Sequence, residues 1–496
     1  MDKKYIIAFD QGTTSTRTII FDSKGNIKGV SQKELTQHYP NSGWVEHDPI
    51  EIYRDQKDTF ETVLKDTGIH PEEIAAIGIT NQRETTVVWD KETGEPVYNA
   101  IVWLDNRTKD ICKTLKDDGL ETYVREQTGL VIDSYFSGTK LKWILDNVEG
   151  AREKAEAGKL LFGTVDSWLI YKFTNEKHHY TDHTNASRTL LYNIKELKWD
   201  DTLLSALNIP KSMLPEVKTS SSDFGTVIYN GSEIPIYGVA GDQQAALFGQ
   251  GGSKEGIAKN TYGTGCFILL NNGKDFVASK NGLITTLACS LPEQSKNFVL
   301  EGSIFIGGAS IQWLRDKMNI INKASETEQI CNSIPPLKDL YIVPAFAGLG
   351  APYWDANAKG AIYGITLDIG KDEIIKATIE ALAYQTKDVI KAMEEDSGIA
   401  LITLKVDGGA TANNYLMQFQ SDLLNVPVDR PKMIEITALG VAMLAGLKAG
   451  VWTKEDIKSI REVDQIFSPK MDSNMRIEKY MGWLKAIKRT QTIKNA

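Results

Sequence analysis

The first residues able to do chemistry are Asp10-Gln11-Gly12-Thr13-Thr14-Ser15-Thr16-Arg17. A carboxylate, a glycine, several hydroxyls and a guanidinium fall together there. Asp10 is placed to hold a hydrated divalent ion. Gly12 lets backbone N–H groups approach a phosphate, and the hydroxyls and Arg17 add donors. The competing reading is a polar hairpin tip built on Gly and Thr. A second stretch, Asn81-Gln82-Arg83-Glu84-Thr85-Thr86, sets an Arg–Glu pair between two apolar runs. Such charges are either an internal salt bridge or a binding site. A third is Asp242, after Gly238-Val239-Ala240-Gly241. It reads as a helix N-cap or as a base that takes a proton from a substrate hydroxyl. In Asp407-Gly408-Gly409-Ala410-Thr411-Ala412-Asn413 the paired glycines leave room for a flat group or a phosphate.

The elements that must carry these residues are legible as periodic runs. Tyr5–Phe9 and Thr18–Asp22 read as two strands of a hairpin, with turn chemistry at 23–26 leading to a third. A helix is expected over residues 50–67, then strands at 74–80, 87–89 and 100–103, and helices through 110–112 and 141–147. Residues 234–241 read as a strand that enters a helix at Asp242. Gly249-Gln250-Gly251-Gly252-Ser253-Lys254-Glu255-Gly256 has hinge composition. Just beyond it, strand, Thr261-Tyr262-Gly263-Thr264-Gly265 tip, strand and turn repeat the opening pattern. Gly307-Gly308 opens a helix, a long helix covers 374–393, and strand–helix units run over 401–419 and 426–448. Alternating strands and helices describe an α/β chain, and a hydroxyl-rich hairpin heading each half describes a duplicated architecture that closes over phosphates from two sides.

Composition sets bounds. A chain of 496 residues exceeds one core, so two domains are expected. The net charge of −9, without like-charge blocks, argues against a nucleic-acid partner. Cys112, Cys266, Cys289 and Cys331 lack metal-ligand spacing and read as reduced thiols. No apolar run approaches the ~18 residues of a membrane span, and the start is too polar for a signal peptide, so a cytoplasmic protein is expected. His178, His179 and His183 read as a solvated loop beside the turn at 175–177, with a metal site as the alternative. P-loop, Rossmann, G-x-S-x-G and H-E-x-x-H signatures are all missing from the sequence.

FDQGTTSTR, GITNQRET, GDQQAALFGQ with NTYGTGCF, and VDGGATANN occur in this order. Together with GWVEHDP, FGTVDSWL, TNASRT and PAFAGLGAPYWD, they closely resemble the glycerol-phosphorylating members of the carbohydrate-kinase family. The resemblance covers nearly the whole chain. It implies two ribonuclease-H-like domains of the actin, hexokinase and 70-kDa heat-shock-chaperone ATPase fold with a cleft between them. Residues 1–249 would carry most of the glycerol site, and 250–496 most of the nucleotide site. It implies ATP-dependent, Mg²⁺-assisted formation of sn-glycerol 3-phosphate, with Asp242 as base and Asp10 on the metal. Glycerol would contact Arg83, Glu84, Tyr135, Asp242 and Gln243, with Trp103 and Phe267 along its carbon edge. Thr13, Thr14, Ser15, Arg17, Thr264 and Gly265 would hold phosphates, and Gly308, Gln312, Gly409 and Asn413 would surround adenosine. A homodimer or homotetramer is implied. Control by a phosphocarrier protein or by fructose 1,6-bisphosphate is not, because the 226–231 loop lacks the histidine and the following residues lack the basic group. The rivals are a kinase of another polyol or sugar on the same fold, and an ATP-switched binding or scaffold protein.

Overall fold

The computed structural model describes residues 3–252, 254–293 and 296–492. Ser253, inside the expected hinge, lies outside the described residues, as do both extreme termini. Tyr5–Gln11 (β1) and Ser15–Phe21 (β2) form the expected antiparallel hairpin, with Asp10 opposite Arg17, and Ile27–Glu34 (β3) pairs with β2. Helix α1 (Pro49–Thr67) begins where Asp48 caps the Ile50 N–H and stops at Gly68, whose φ of 67° is left-handed. Ile74–Asn81 (β4) runs parallel to β1 and is buried along its whole length, as a central parallel strand must be. After α2 (Ser137–Asn147), Thr226–Tyr229 (β5) and Ser232–Gly241 (β6) complete a six-stranded sheet in the order β5-β6-β4-β1-β2-β3. Helix α3 (Asp242–Gly249) leaves the end of β6.

The second half repeats the plan. Ile257–Tyr262 (β7) and Cys266–Asn271 (β8) form its hairpin, followed by Ile284–Leu287 (β9) and Phe298–Ile304 (β10). Helix α4 (Ala309–Asp316) and the long α5 (Lys371–Ser397) precede Thr403–Asp407 (β11), α6 (Asn414–Leu424) and Val428–Pro431 (β12). Helix α7 (Ile436–Ala449) and Val463–Phe467 (β13) follow, and the sheet order is β9-β10-β8-β7-β11-β12-β13. Without the edge strands β5, β9 and β13, both sheets are a three-stranded antiparallel meander with two further strands parallel to the first. Helices α3 and α7 leave equivalent strands and cross closely. A Cβ on Gly440 would lie 1.9 Å from the Ala245 carbonyl oxygen. Helix α7 also covers β1, β4 and β6, sharing a core of Ile6, Ala8, Ile19, Leu439, Val441 and Leu444. The division at residues 249/250 therefore does not separate the chain in space, because α7 from the second half forms part of the first sheet's packing.

Candidate active site

The polar residues converge where the strands of the first sheet end. Arg83 and Glu84 follow β4, and both are buried. They form only a long ion pair with one another, Arg83 Nε to Glu84 Oε1 at 3.9 Å, and the internal-salt-bridge reading holds chiefly through other partners. Arg83 donates twice to Glu301 of β10, at 2.7 and 2.9 Å, and once to Gln244 at 3.1 Å. Glu84 accepts from Arg188 Nε at 2.5 Å, and Arg188 Nη2 reaches Glu301 at 3.2 Å. Burial alone would raise the Glu301 carboxyl, but the guanidiniums of Arg188 and Arg83 hold it down to about 2. Glu84 itself sits at φ 61°, a left-handed conformation that costs energy for a long side chain and recurs at functional sites.

Asp242 is the first residue of α3, and Gly241 occupies the cap position, so the N-cap reading of Asp242 is corrected. Its carboxylate takes the Gln243 N–H at 2.7 Å and lies 3.2 Å from Arg83 Nε. One third of its side chain is exposed, while its neighbours Arg83 and Glu84 are sealed. It is thus an accessible carboxylate in a buried charge frame, the arrangement a general base needs. Three rings pack together, with Tyr135 close enough to Arg83 to act on its charge: Trp103 meets Tyr135 edge-on at 5.6 Å and Phe267, on β8, at 6.3 Å. Burial raises the Tyr135 phenol, which stays a hydrogen-bond donor. The loop bearing Tyr135 is pinned by Lys140 of α2, whose buried ammonium donates to the carbonyls of Ser134, Tyr135 and Phe136. A wall of rings facing a polar edge fits a small polyol, which has one apolar and one hydroxylated side.

The β1–β2 tip adjoins this pocket. Trp103 Nε1 donates to Thr13 Oγ1 at 2.9 Å, which leaves the threonine proton free to donate outward. Arg17 is turned inward, onto Asp10 at 2.5 Å and Glu435 at 2.6 Å. Burial raises the Asp10 carboxyl despite Arg17, and the carboxylates of Glu435 and Asp242 add to the rise. Asp10 is the kind of hard oxygen ligand that Mg²⁺ takes while keeping its waters, and here Arg17 occupies one of its oxygens. The tip is held from behind by His47. Gln82 Nε2 donates to His47 Nδ1 at 3.3 Å, so Nε2 carries the proton and donates to Gln37 Oε1 at 2.9 Å. Gln37 in turn donates to the Thr13 carbonyl at 2.7 Å. Burial lowers His47 to about 4 and keeps it neutral.

The residues from the second half that the resemblance points to are of another kind. Thr264, Gln312 and Gly409 are exposed. Gly263, Gly265 and Gly308 let the β7–β8 tip and the start of α4 pass at backbone distance: Gly308 N–H donates to Gly263 O at 2.8 Å, and a Cβ on Gly308 would come within 2.7 Å of that oxygen. The Asn413 side chain is committed to packing, capping α6 through the Leu416 N–H and donating to Thr327 at 3.0 Å.

Sequence reasoning missed Glu301, Arg188, Lys259, Lys140 and His47 as parts of this cluster. Glu301 carried a signal, being the single charge inside a mostly apolar strand run. His179 and His183 are not in a solvated loop: a His179 ring nitrogen lies 2.7 Å from the Phe162 carbonyl, and His183 Nδ1 lies 3.0 Å from Tyr192 Oη. Only the 175–177 turn beside them is exposed. Among the described residues no group of three or more His, Cys, Asp or Glu is placed to hold a metal ion, and no helix is long and apolar enough to cross a membrane.

Comparison with known proteins gives a family. Residues 5–249 match the N-terminal domain, and 258–449 the C-terminal domain, of the FGGY family of carbohydrate kinases. The glycerol kinase of Alkaliphilus oremlandii is 60% identical over 491 residues, covering 98% of this chain and 97% of its own. That of Aeromonas hydrophila is 58% identical, covering 99% and 98%. Among solved structures, Plasmodium falciparum glycerol kinase with ADP superposes with a TM-score of 0.94 at 38% identity over 99% of both chains.

Proposed function

The chain belongs to the FGGY family of carbohydrate kinases, and from that premise we infer how its residues divide the work of a phosphoryl transfer. The protein is an ATP-dependent kinase on the two-domain, actin- and hexokinase-like fold, and it converts glycerol to sn-glycerol 3-phosphate with release of ADP. The observation that carries the assignment of roles is Asp242, a one-third exposed carboxylate between Arg83 and Gln243 beside the buried Asp10.

Arg83, Glu84, Tyr135 and Gln243 orient the triol, and Trp103 with Phe267 lines its carbon edge. One terminal hydroxyl oxygen then attacks the γ-phosphorus as its proton passes to Asp242. The bond from phosphorus to the bridging oxygen breaks, and ADP leaves with that oxygen. Such a reaction depends on positioning and charge neutralisation. Asp10 would hold Mg²⁺, directly or through water, and the ion would neutralise phosphate charge. Thr13, Thr14, Ser15, Arg17, Thr264 and Gly265 bind the β- and γ-phosphates. Gly308, Gln312, Gly409 and Asn413 line the adenosine. In this reading residues 1–249 carry most of the acceptor site and 250–496 most of the nucleotide site. In the same reading the enzyme is a cytoplasmic homodimer or homotetramer.

ADP release with Mg²⁺ATP tests the substrate, comparing glycerol with dihydroxyacetone, erythritol, xylulose and no acceptor. Glycerol should lead clearly. Equal turnover without acceptor would mean an ATP-driven switch, and a lead for xylulose would mean a sugar kinase.

A further inference from the structure

Two charged side chains of the second sheet reach into the acceptor pocket of the first. Lys259 on β7 and Glu301 on β10 are both buried. Lys259 Nζ donates to Gln243 Oε1 and to Thr261 Oγ1, each at 2.5 Å. An ammonium group only donates, so it fixes which end of the Gln243 amide faces it. The amide nitrogen is thereby turned to Asp242, where it donates to Oδ2 at 3.3 Å. Glu301 acts on the other oxygen. Its bidentate grip on the Arg83 Nη atoms sets the plane of that guanidinium and leaves Nε 3.2 Å from Asp242 Oδ1. Each oxygen of Asp242 is therefore aligned by a group whose own orientation is dictated from the opposite half. The charges facing Lys259 are Asp407, Asp242, Glu301 and Arg83.

We propose that Lys259 and Glu301 are positioning residues that aim the Asp242 carboxylate, through Gln243 and Arg83, so that the proton-accepting site is assembled from both halves of the chain. The inference rests on Asp242 being the base. It accounts for two charges placed inside a sheet where apolar residues would pack at less cost.

The test is steady-state kinetics of Lys259→Met, Lys259→Arg and Glu301→Gln, with glycerol and ATP varied separately. Methionine keeps the volume and removes the donor. Lys259→Met should lower kcat about 10–100-fold, the scale of a misaimed reacting group, with KM for ATP within about twofold. Arginine, which keeps the donor, should recover much of that loss. Glu301→Gln should likewise lower kcat about 10–100-fold with KM for ATP within about twofold, and it carries the test if Lys259→Met does not fold, an unchanged kcat there overturning the proposal. A Lys259→Met enzyme within about threefold of wild-type kcat, or equal losses in the Met and Arg variants, overturns the proposal. Asp242→Asn in the same assay separates the two claims. If it turns over normally, the base assignment falls. If it is inactive while Lys259→Met is normal, only the positioning role falls.

Discussion

The two halves share one sheet plan but furnish equivalent strand ends in opposite ways. Beyond β4, the first half places Gln82, Arg83 and Glu84; beyond β11, the second places Gly408 and Gly409. The β1–β2 tip is hemmed in by Trp103, Gln37, Gln82 and Arg17, whereas the β7–β8 tip leaves Gly263 and Thr264 exposed. In the proposed reading, the half that carries most of the acceptor site presents side chains locked in ion pairs and hydrogen bonds, and the half that carries most of the nucleotide site presents backbone that glycine leaves bare. The difference suits the ligands. A small triol offers only hydroxyls and needs placed charges, while a nucleotide offers phosphates and a flat base that backbone N–H groups and clefts accommodate.

If that contrast is right, removing side chains should hurt the acceptor side and adding a Cβ should hurt the nucleotide side. Of the substitutions that test this contrast, the largest effect is expected at Arg83→Met, which leaves Glu301 with Arg188 alone and releases Asp242. Breaking a buried pair costs about 3–5 kcal/mol, so kcat/KM for glycerol should fall about 10²–10³-fold with KM for ATP nearly constant. An equal loss for both substrates would break the division of labour.

His47 gives a stability test confined to the first half. Its folded pKa, about 4, lies below the unfolded value near 6.5. Over that interval the unfolded chain binds the extra proton, so stability is lost as pH falls from 6.5 towards 4. Wild type should lose roughly 2 kcal/mol more than His47→Gln between pH 7 and pH 5 in denaturant melts. Parallel pH profiles would mean that His47 is not held as a neutral, buried ring behind the β1–β2 tip.

Smaller effects are expected across the cleft. Gly308→Ala drives a methyl to 2.7 Å from Gly263 O, and the backbone must shift. KM for ATP should rise about tenfold, as for the loss of one good hydrogen bond, with glycerol binding unchanged. Gln312→Ala removes an exposed side chain and should change KM for ATP by no more than about threefold. A loss of hundreds-fold there would show side-chain recognition on the nucleotide side after all.

The same contrast explains what could be read from the sequence. Both hairpins, the strand entering Asp242 and the Arg83–Glu84 pair between buried strands announce themselves, because polar residues interrupt apolar runs. Which charge pairs with which could not be read: Glu301 lies 218 positions from Arg83 and Arg188 lies 104 from Glu84. The fold of the first half brings Arg188 to Glu84, and the docking of the second half on it brings Glu301 to Arg83. Helix α7 was legible as a helix, but its seat on the first sheet depends on glycines at 78, 238 and 440, which show no affinity for any partner. On the nucleotide side, Gly265, Gly308 and Gly409 carry no side-chain chemistry: their places between strands and helices suggested room for a phosphate or a flat group, and the assignment to parts of a nucleotide came from the resemblance.

The most direct measurement is the glycerol 3-phosphate formed by wild type and by Asp242→Asn at saturating Mg²⁺ATP and glycerol. With Asp242 as the base, the variant should form product about 10²–10⁴-fold more slowly while ATP binding persists. Product formation at the wild-type rate would contradict the account at its centre.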